Sequence, residues 1–267
     1  MSRIASKFEE LRKKGEKALV VYITAGHPDM ETTCRLIPAL AEAGVDILEV
    51  GVPFSDPTAD GPVIQASSQE AIRKGASLEA ILEMLRDLRK VTSLPFVLFS
   101  YYNPLFVAGP GRFARRASEA GVDGLLVVDL PREEAGELRR HTDGRGLDFI
   151  PLVAPTTGEE RMRAILEDAS GFVYYITMTG VTGTGRPAEE EAREKLRRIK
   201  ELTPLPVVAG FGISTPDQAA RLAPFADGVV VGSALVSLID KTRLRGDLLA
   251  EVCRFTRSLK AALGPVP

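Results

Sequence analysis

The sequence predicts an α/β protein: a single (β/α)8 barrel of the TIM type over residues 1–267, with one extra helix at the N-terminus. Three observations lead there. Short apolar runs alternate with helix-spaced amphipathic segments eight times along the chain. The runs are continuously apolar, not alternating, as in strands buried on both faces of a parallel sheet. Eight parallel βα units in about 250 residues are what a closed barrel requires, whereas open doubly wound sheets usually have about five or six strands.

Ile4, Phe8 and Leu11 recur at helical spacing over Ile4 to Lys14, giving the extra helix. The first strand is Ala18-Leu19-Val20-Val21-Tyr22-Ile23-Thr24-Ala25, ended by Gly26-His27-Pro28-Asp29. Met30 to Ala43 reads as a helix closed by Gly44. Val45 to Val50 is the second strand; helices follow at Val63 to Lys74 and Leu78 to Val91. Pro95 to Tyr101 is the third strand, ending in the turn-like Tyr102-Asn103-Pro104. Arg112 to Ala120 is a helix and Gly124 to Asp129 the fourth strand, after which Pro131 is expected to open a helix. The fifth strand is Asp148 to Ala154, with a helix from Glu159 to Asp168. Gly171 to Thr177 is the sixth strand, followed by a glycine- and threonine-rich loop and a charged helix from Glu189 to Leu202. Leu205 to Ala209 and Asp227 to Val231 are the seventh and eighth strands. Helices are read from Thr215 to Leu222, from Ser233 onward and from Leu248 to Leu263.

Composition narrows the function. Net charge is −2 and no basic tract stands out, so nucleic acid is not the expected partner. The start has no apolar signal-like core, and no apolar run approaches the ~20 residues that span a bilayer. Cys34 and Cys253 lie in helix-like segments and read as free thiols. A cytoplasmic protein without a membrane role is the expectation.

A barrel keeps its chemistry where strands end and βα loops begin. Those ends carry no lysine, which removes a Schiff-base nucleophile, and no histidine–carboxylate set at metal-ligand spacing. Carboxylates and hydroxyls remain, which suits acid–base chemistry without a metal or cofactor. Glu49 is the most conspicuous, an acid inside the apolar run Ile47-Leu48-Glu49-Val50, where desolvating its charge is costly. Asp56 and Asp60 follow in a loop rich in proline and glycine; Asp60 could equally cap the helix at Val63. Glycines after the last three strands, Gly180 to Gly183, Gly210 to Gly212 and Gly232-Ser233, suit a phosphate held by backbone N–H groups and a helix N-terminus.

The stretch from Leu48-Glu49-Val50-Gly51 through Pro53-Phe54-Ser55-Asp56-Pro57-Thr58-Ala59-Asp60-Gly61 resembles the signature of the tryptophan synthase alpha chain family. Tyr22 to Pro28, Tyr101-Tyr102-Asn103-Pro104, Gly180-Val181-Thr182-Gly183 and Gly210-Phe211-Gly212-Ile213 extend the similarity along essentially the whole chain. The resemblance implies retro-aldol cleavage of indole-3-glycerol phosphate to indole and glyceraldehyde 3-phosphate. It implies Glu49 as the acid–base group and Asp60 as acceptor of the indole N–H. Gly183, Gly212, Ser233 and, more weakly, Gly232 fall on phosphate positions. Tyr22, Tyr101, Leu126 and Phe211 would line the indole pocket, and Tyr174 would face Glu49, with Tyr175 beside it as the alternative. A pyridoxal-phosphate beta chain is the implied partner in an alpha2-beta2 complex, the alpha chain itself needing no cofactor. Thr58 and Thr177 depart from the family's usual aliphatic residue and serine. The residues also admit a free-standing lyase that releases indole and a non-catalytic phosphate-binding barrel.

Overall fold

A computed structural model describes residues 2–176, 186–210 and 212–264, without the side chains of 186–189. The strands are β1 (Ala18–Thr24), β2 (Ile47–Gly51), β3 (Phe96–Ser100), β4 (Gly124–Val127), β5 (Asp148–Phe149), β6 (Leu152–Val153), β7 (Val173–Ile176), β8 (Val207–Gly210) and β9 (Gly228–Val231). All neighbours are parallel, in the order β5-β4-β3-β2-β1-β9-β8-β7-β6. The two ends of that order are consecutive in the chain, and this closes the barrel. Ile150 donates to the Leu125 carbonyl (2.9 Å) and Tyr174 donates to the Pro151 carbonyl (3.0 Å). One strand thus bonds β4 with its first half and β7 with its second.

The fifth strand is therefore in two pieces, not the single run the sequence suggests. Pro151 has no N–H to give a ladder, so the strand breaks where it changes neighbours.

The helices are α1 (Arg3–Lys14), α2 (Met30–Glu42), α3 (Pro62–Arg73), α4 (Leu78–Leu88), α5 (Tyr102–Val107), α6 (Pro110–Glu119), α7 (Gly136–Thr142), α8 (Glu159–Glu167), α9 (Arg186–Leu202), α10 (Pro216–Leu222), α11 (Ser233–Thr242) and α12 (Leu248–Ala262). Two readings need correction. The segment taken as a turn after β3 is the short helix α5, in which Pro104 sits in the first turn, where no N–H is needed. Pro131 opens a turn, not a helix; its carbonyl accepts from Glu134 and Ala135 (both 3.0 Å), and α7 starts only at Gly136.

Strand residues alternate between two cores. One side packs against the helices: Leu19, Val21, Leu48 and Val50 against α2 and α4, and Val173 and Tyr175 against α8 and α9. The other side fills the barrel with Val20, Ile47, Val97, Leu126, Ile150, Phe172, Tyr174, Val208 and Val230. Ile4, Phe8 and Leu11 of α1 join that interior cluster, Phe8 lying 5.8 Å from Phe172 between ring centroids. Helix α1 is thus a plug across the N-terminal end of the barrel. The C-terminal end is left for chemistry.

Candidate active site

Strand β2 carries Glu49 inward. Ile47, two residues earlier, is in the interior cluster, and alternation puts Glu49 on the same side. Glu49 is 1% exposed, and neither carboxylate oxygen has a hydrogen-bond partner among the described residues. Burial pushes its carboxyl up to about 8, so it is protonated at neutral pH.

Two tyrosines stand around it. Tyr22 is the register partner of Glu49 on β1, and Tyr174 comes from β7 across the interior. Burial raises both phenols, and Glu49, once ionised, adds to the rise. Each tyrosine needs a glycine beside it. A Cβ on Gly51 would lie 2.2 Å from the Tyr22 oxygen, and one on Gly210 would lie 2.5 Å from the Tyr174 oxygen. Tyr22 also meets Phe99 edge-on at 5.2 Å and 78°. The choice between Tyr174 and Tyr175 is resolved by packing: Tyr174 is in the barrel interior and Tyr175 against the helices.

Asp60 lies in the loop between β2 and α3. It does not cap α3; Gly61 holds that position without a side-chain bond. Tyr101, at the end of β3, organises this loop. The Ala59 N–H donates to its hydroxyl oxygen (2.9 Å), and its ring packs on Phe54 at 5.2 Å. Burial raises the Asp60 carboxyl, and a hydrogen bond with Tyr101 opposes that rise. Asp56 is exposed; its carboxylate accepts from Ser55 (2.5 Å) and its carbonyl from the Thr58 N–H (2.9 Å), as suits a loop-shaping residue. Asp129 is structural as well, its carboxylate accepting from the Tyr102 N–H (2.7 Å) at the start of α5.

On the opposite rim, Gly232 is the N-cap of α11 and Ser233 its first residue. Gly232 lies against Tyr22, a Cβ there coming 3.3 Å from the Tyr22 Cβ. Gly212 has φ of 62°, the left-handed conformation that favours glycine. The structure thus gathers Glu49, Tyr22, Tyr174 and Leu126 inside the barrel mouth, with Asp60 and Tyr101 on one rim and Gly232 and Ser233 on another. Gly183, Phe211 and most of the glycine- and threonine-rich loop after the sixth strand lie outside the described residues.

Two features escaped the sequence. A hydroxyl chain runs from Tyr22 to Thr24 (3.4 Å) to Ser67 (2.7 Å). The fold also brings His27 between Glu70 (3.3 Å from Nδ1) and Asp240 (3.9 Å from Nε2), a gathering that local spacing does not reveal. The two ring nitrogens face different carboxylates, while a metal ion would take one nitrogen. Glu70 is already engaged by Lys74 (2.9 Å) and Arg243 (2.6 Å). Burial lowers the His27 pKa and favours the neutral ring. A separate cavity of about 440 Å³ lies between α7 and α8. Its arginines are paired, Arg132 and Arg139 with Asp168 and Arg161 with Glu133.

Comparison with known proteins identifies the lineage. The family model described as tryptophan synthase alpha chain matches residues 8–263. The chain belongs to the tryptophan synthase alpha chain family. It is 52% identical over 264 residues to the tryptophan synthase alpha chain of Geobacter sulfurreducens, covering 99% of this chain and all of that one. The counterpart from Desulfatibacillum aliphaticivorans is 50% identical over 262 residues, covering 98% and 99% of the two chains. Among solved structures, tryptophan synthase subunit alpha from Legionella pneumophila superposes with a TM-score of 0.93 at 38% identity, covering both chains fully. A chain of tryptophan synthase from M. tuberculosis gives 0.89 at 34% identity, covering 98% of this chain and 99% of that one. These neighbours are TIM barrels, as is this fold. The family is a lyase that cleaves indole-3-glycerol phosphate in tryptophan biosynthesis.

Proposed function

We propose that Glu49 and Asp60 carry the proton chemistry of indole-3-glycerol phosphate cleavage in this chain. The observation that carries the reading is Glu49 itself: buried, without a hydrogen-bond partner, and between two tyrosines in the barrel mouth. Such a group weakens the fold and is explained by function.

The chemistry suits its state. Indole is a poor leaving group as a carbanion, so C3 must gain a proton before its bond to the side chain breaks. Protonated Glu49 supplies that proton. Positive charge then develops at the ring nitrogen, where the Asp60 carboxylate stabilises it. As the carbon–carbon bond breaks, its electrons restore the indole ring. The hydroxyl on the departing carbon loses its proton to Glu49 and becomes the aldehyde of glyceraldehyde 3-phosphate. One proton enters at carbon and one leaves from oxygen, so Glu49 ends as it began. Tyr22, Tyr101, Leu126, Tyr174 and Phe211 enclose the indole; Gly183, Gly212, Gly232 and Ser233 hold the phosphate. No step calls for a metal or a cofactor on this chain.

The partner in this reading is a tryptophan synthase beta chain, a pyridoxal-phosphate enzyme, in an alpha2-beta2 complex. Helix α5 suits the contact, because Phe106 and Val107 are 53% and 76% exposed there, next to the site-lining Tyr101. The same reading makes the chain a single cytoplasmic domain. No helix among the described residues is long and apolar enough to cross a membrane, and both cysteines are free.

The test is indole release by wild type and Glu49→Gln, each alone and with a beta chain. Wild type should form indole, more rapidly with the partner, and the variant should lose activity in both settings while still binding substrate. Near-wild-type turnover by Glu49→Gln would overturn the assignment.

A further inference from the structure

The hydroxyl chain beside Glu49 has one direction of donation. Ser67, on α3, donates its only hydroxyl hydrogen to the carbonyl of Ile64 (2.9 Å), one turn back on the same helix. In the bond between Ser67 and Thr24 (2.7 Å), Ser67 must therefore accept and Thr24 must donate. Thr24 has then spent its own hydrogen. In the contact between Thr24 and Tyr22 (3.4 Å), Tyr22 is left as the donor.

All three side chains are buried, so water does not readily rearrange the order. The Tyr22 ring is fixed as well, by Phe99 packed nearly at right angles to it and by Gly51 under its oxygen. Burial keeps the phenol protonated; the Thr24 hydroxyl, which would turn to a phenolate, opposes this, and the charges of Asp60 and Glu49, once ionised, act with burial and place the oxygen within electrostatic reach of both carboxylates. Tyr22 is thus not a proton carrier. Its hydrogen is committed to Thr24, and its oxygen retains only the capacity to accept.

We infer that Tyr22 selects substrate as an obligate hydrogen-bond acceptor, its oxygen taking a bond from a donor on the ligand, either the indole N–H or a glycerol hydroxyl. Thr24 and Ser67 are positioning residues that turn the phenol hydrogen away from the ligand. This rests on the lyase reading and adds a third polar contact to the two carboxylates. A phenylalanine in this place would keep the apolar contact and lose the selection.

The experiment measures ligand affinity by titration calorimetry in a Glu49→Gln background, where substrate is not consumed. Three ligands are compared: indole-3-glycerol phosphate, an indolyl propyl phosphate lacking both glycerol hydroxyls, and a benzofuran glycerol phosphate lacking the N–H. Tyr22→Phe should weaken binding of indole-3-glycerol phosphate about fivefold, the scale of one neutral hydrogen bond. The same loss should appear with one analogue and vanish with the other, and the analogue that shows no loss names the donor. Ser67→Ala, which frees the chain to reverse, should give a smaller loss with the same ligand pattern. Equal losses on all three ligands, or none on any, would overturn the inference. Failure of the lyase reading is seen separately, as absence of indole formation by wild type.

Discussion

The two ends of the barrel bury the same kind of group in opposite ways. Asp46, Glu49 and Asp123 are the buried carboxylates among the described residues. Asp46 and Asp123 immediately precede strand starts at the plugged end, and each is held by a strand N–H and at least one basic side chain. Asp46 accepts from the Leu19 N–H (2.8 Å) and from Lys260 (2.8 Å). Asp123 accepts from the Phe96 N–H (2.9 Å), Arg89 (3.0 Å) and Arg3 (2.8 Å). Asp227, less buried, repeats the pattern with the Val207 N–H (2.9 Å) and Lys200 (2.7 Å). Each ties one strand to its neighbour and anchors a basic side chain across the barrel floor. Glu49 is as deeply buried at the other end and has none of this. Burial of an acid therefore says little by itself; the partners separate acids that hold the fold together from one that the fold leaves unpaired.

The sharpest way to break this contrast is to remove the acid at each end. Glu49→Gln should lower indole formation by about a thousandfold or more, the scale of lost acid–base catalysis, with no loss in thermal stability. Asp123→Ala should do the reverse. It strands the Arg89 charge and the Phe96 N–H, and denaturant unfolding should show a loss of about 3 kcal/mol, while activity per folded molecule persists.

The pH dependence of stability is a finer test. The Glu49 carboxyl is raised in the folded chain, so the unfolded chain gives up this proton first. Stability from this group is fully present below the ordinary carboxylate range, declines as pH rises, and is lost as pH passes about 8. Denaturation of wild type between pH 5 and 8 should show a fall of a few kcal/mol that Glu49→Gln lacks. Parallel profiles for the two proteins would contradict it.

A smaller effect is expected from the glycines that admit the tyrosines. Gly51→Ala puts a carbon where the Tyr22 oxygen lies, and Gly210→Ala does so for Tyr174. Each should cost about 1–3 kcal/mol through overpacking and reduce turnover about tenfold through misplaced phenols. Unchanged turnover in both would show that the tyrosines do not shape the site.

Much of this architecture was legible in the chain. Continuous apolar runs marked parallel strands, and an acid in the middle of one marked Glu49. What stayed hidden depends on register or on long-range contact. Tyr174 and Tyr175 are equally apolar in sequence, and only the alternation fixed by Phe172 below them assigns the inward ring. The fifth strand splits because its two halves bond different neighbours, something no local pattern around Pro151 records. Helix α5 was obscured because Asn103 and Pro104 read as a turn, although proline in a first turn is harmless. Thr24 and Ser67 lie 43 positions apart, and nothing near either residue announces the other.

The proposed role of Glu49 requires a carboxyl that is protonated and unpaired at neutral pH. Infrared difference spectroscopy of wild type against Glu49→Gln, followed through a pH titration, observes that carboxyl directly. The structure predicts a protonated carboxyl band assignable to Glu49 that persists at neutral pH and disappears near pH 8. A band already lost in the ordinary carboxylate range, around pH 4 to 5, would contradict it.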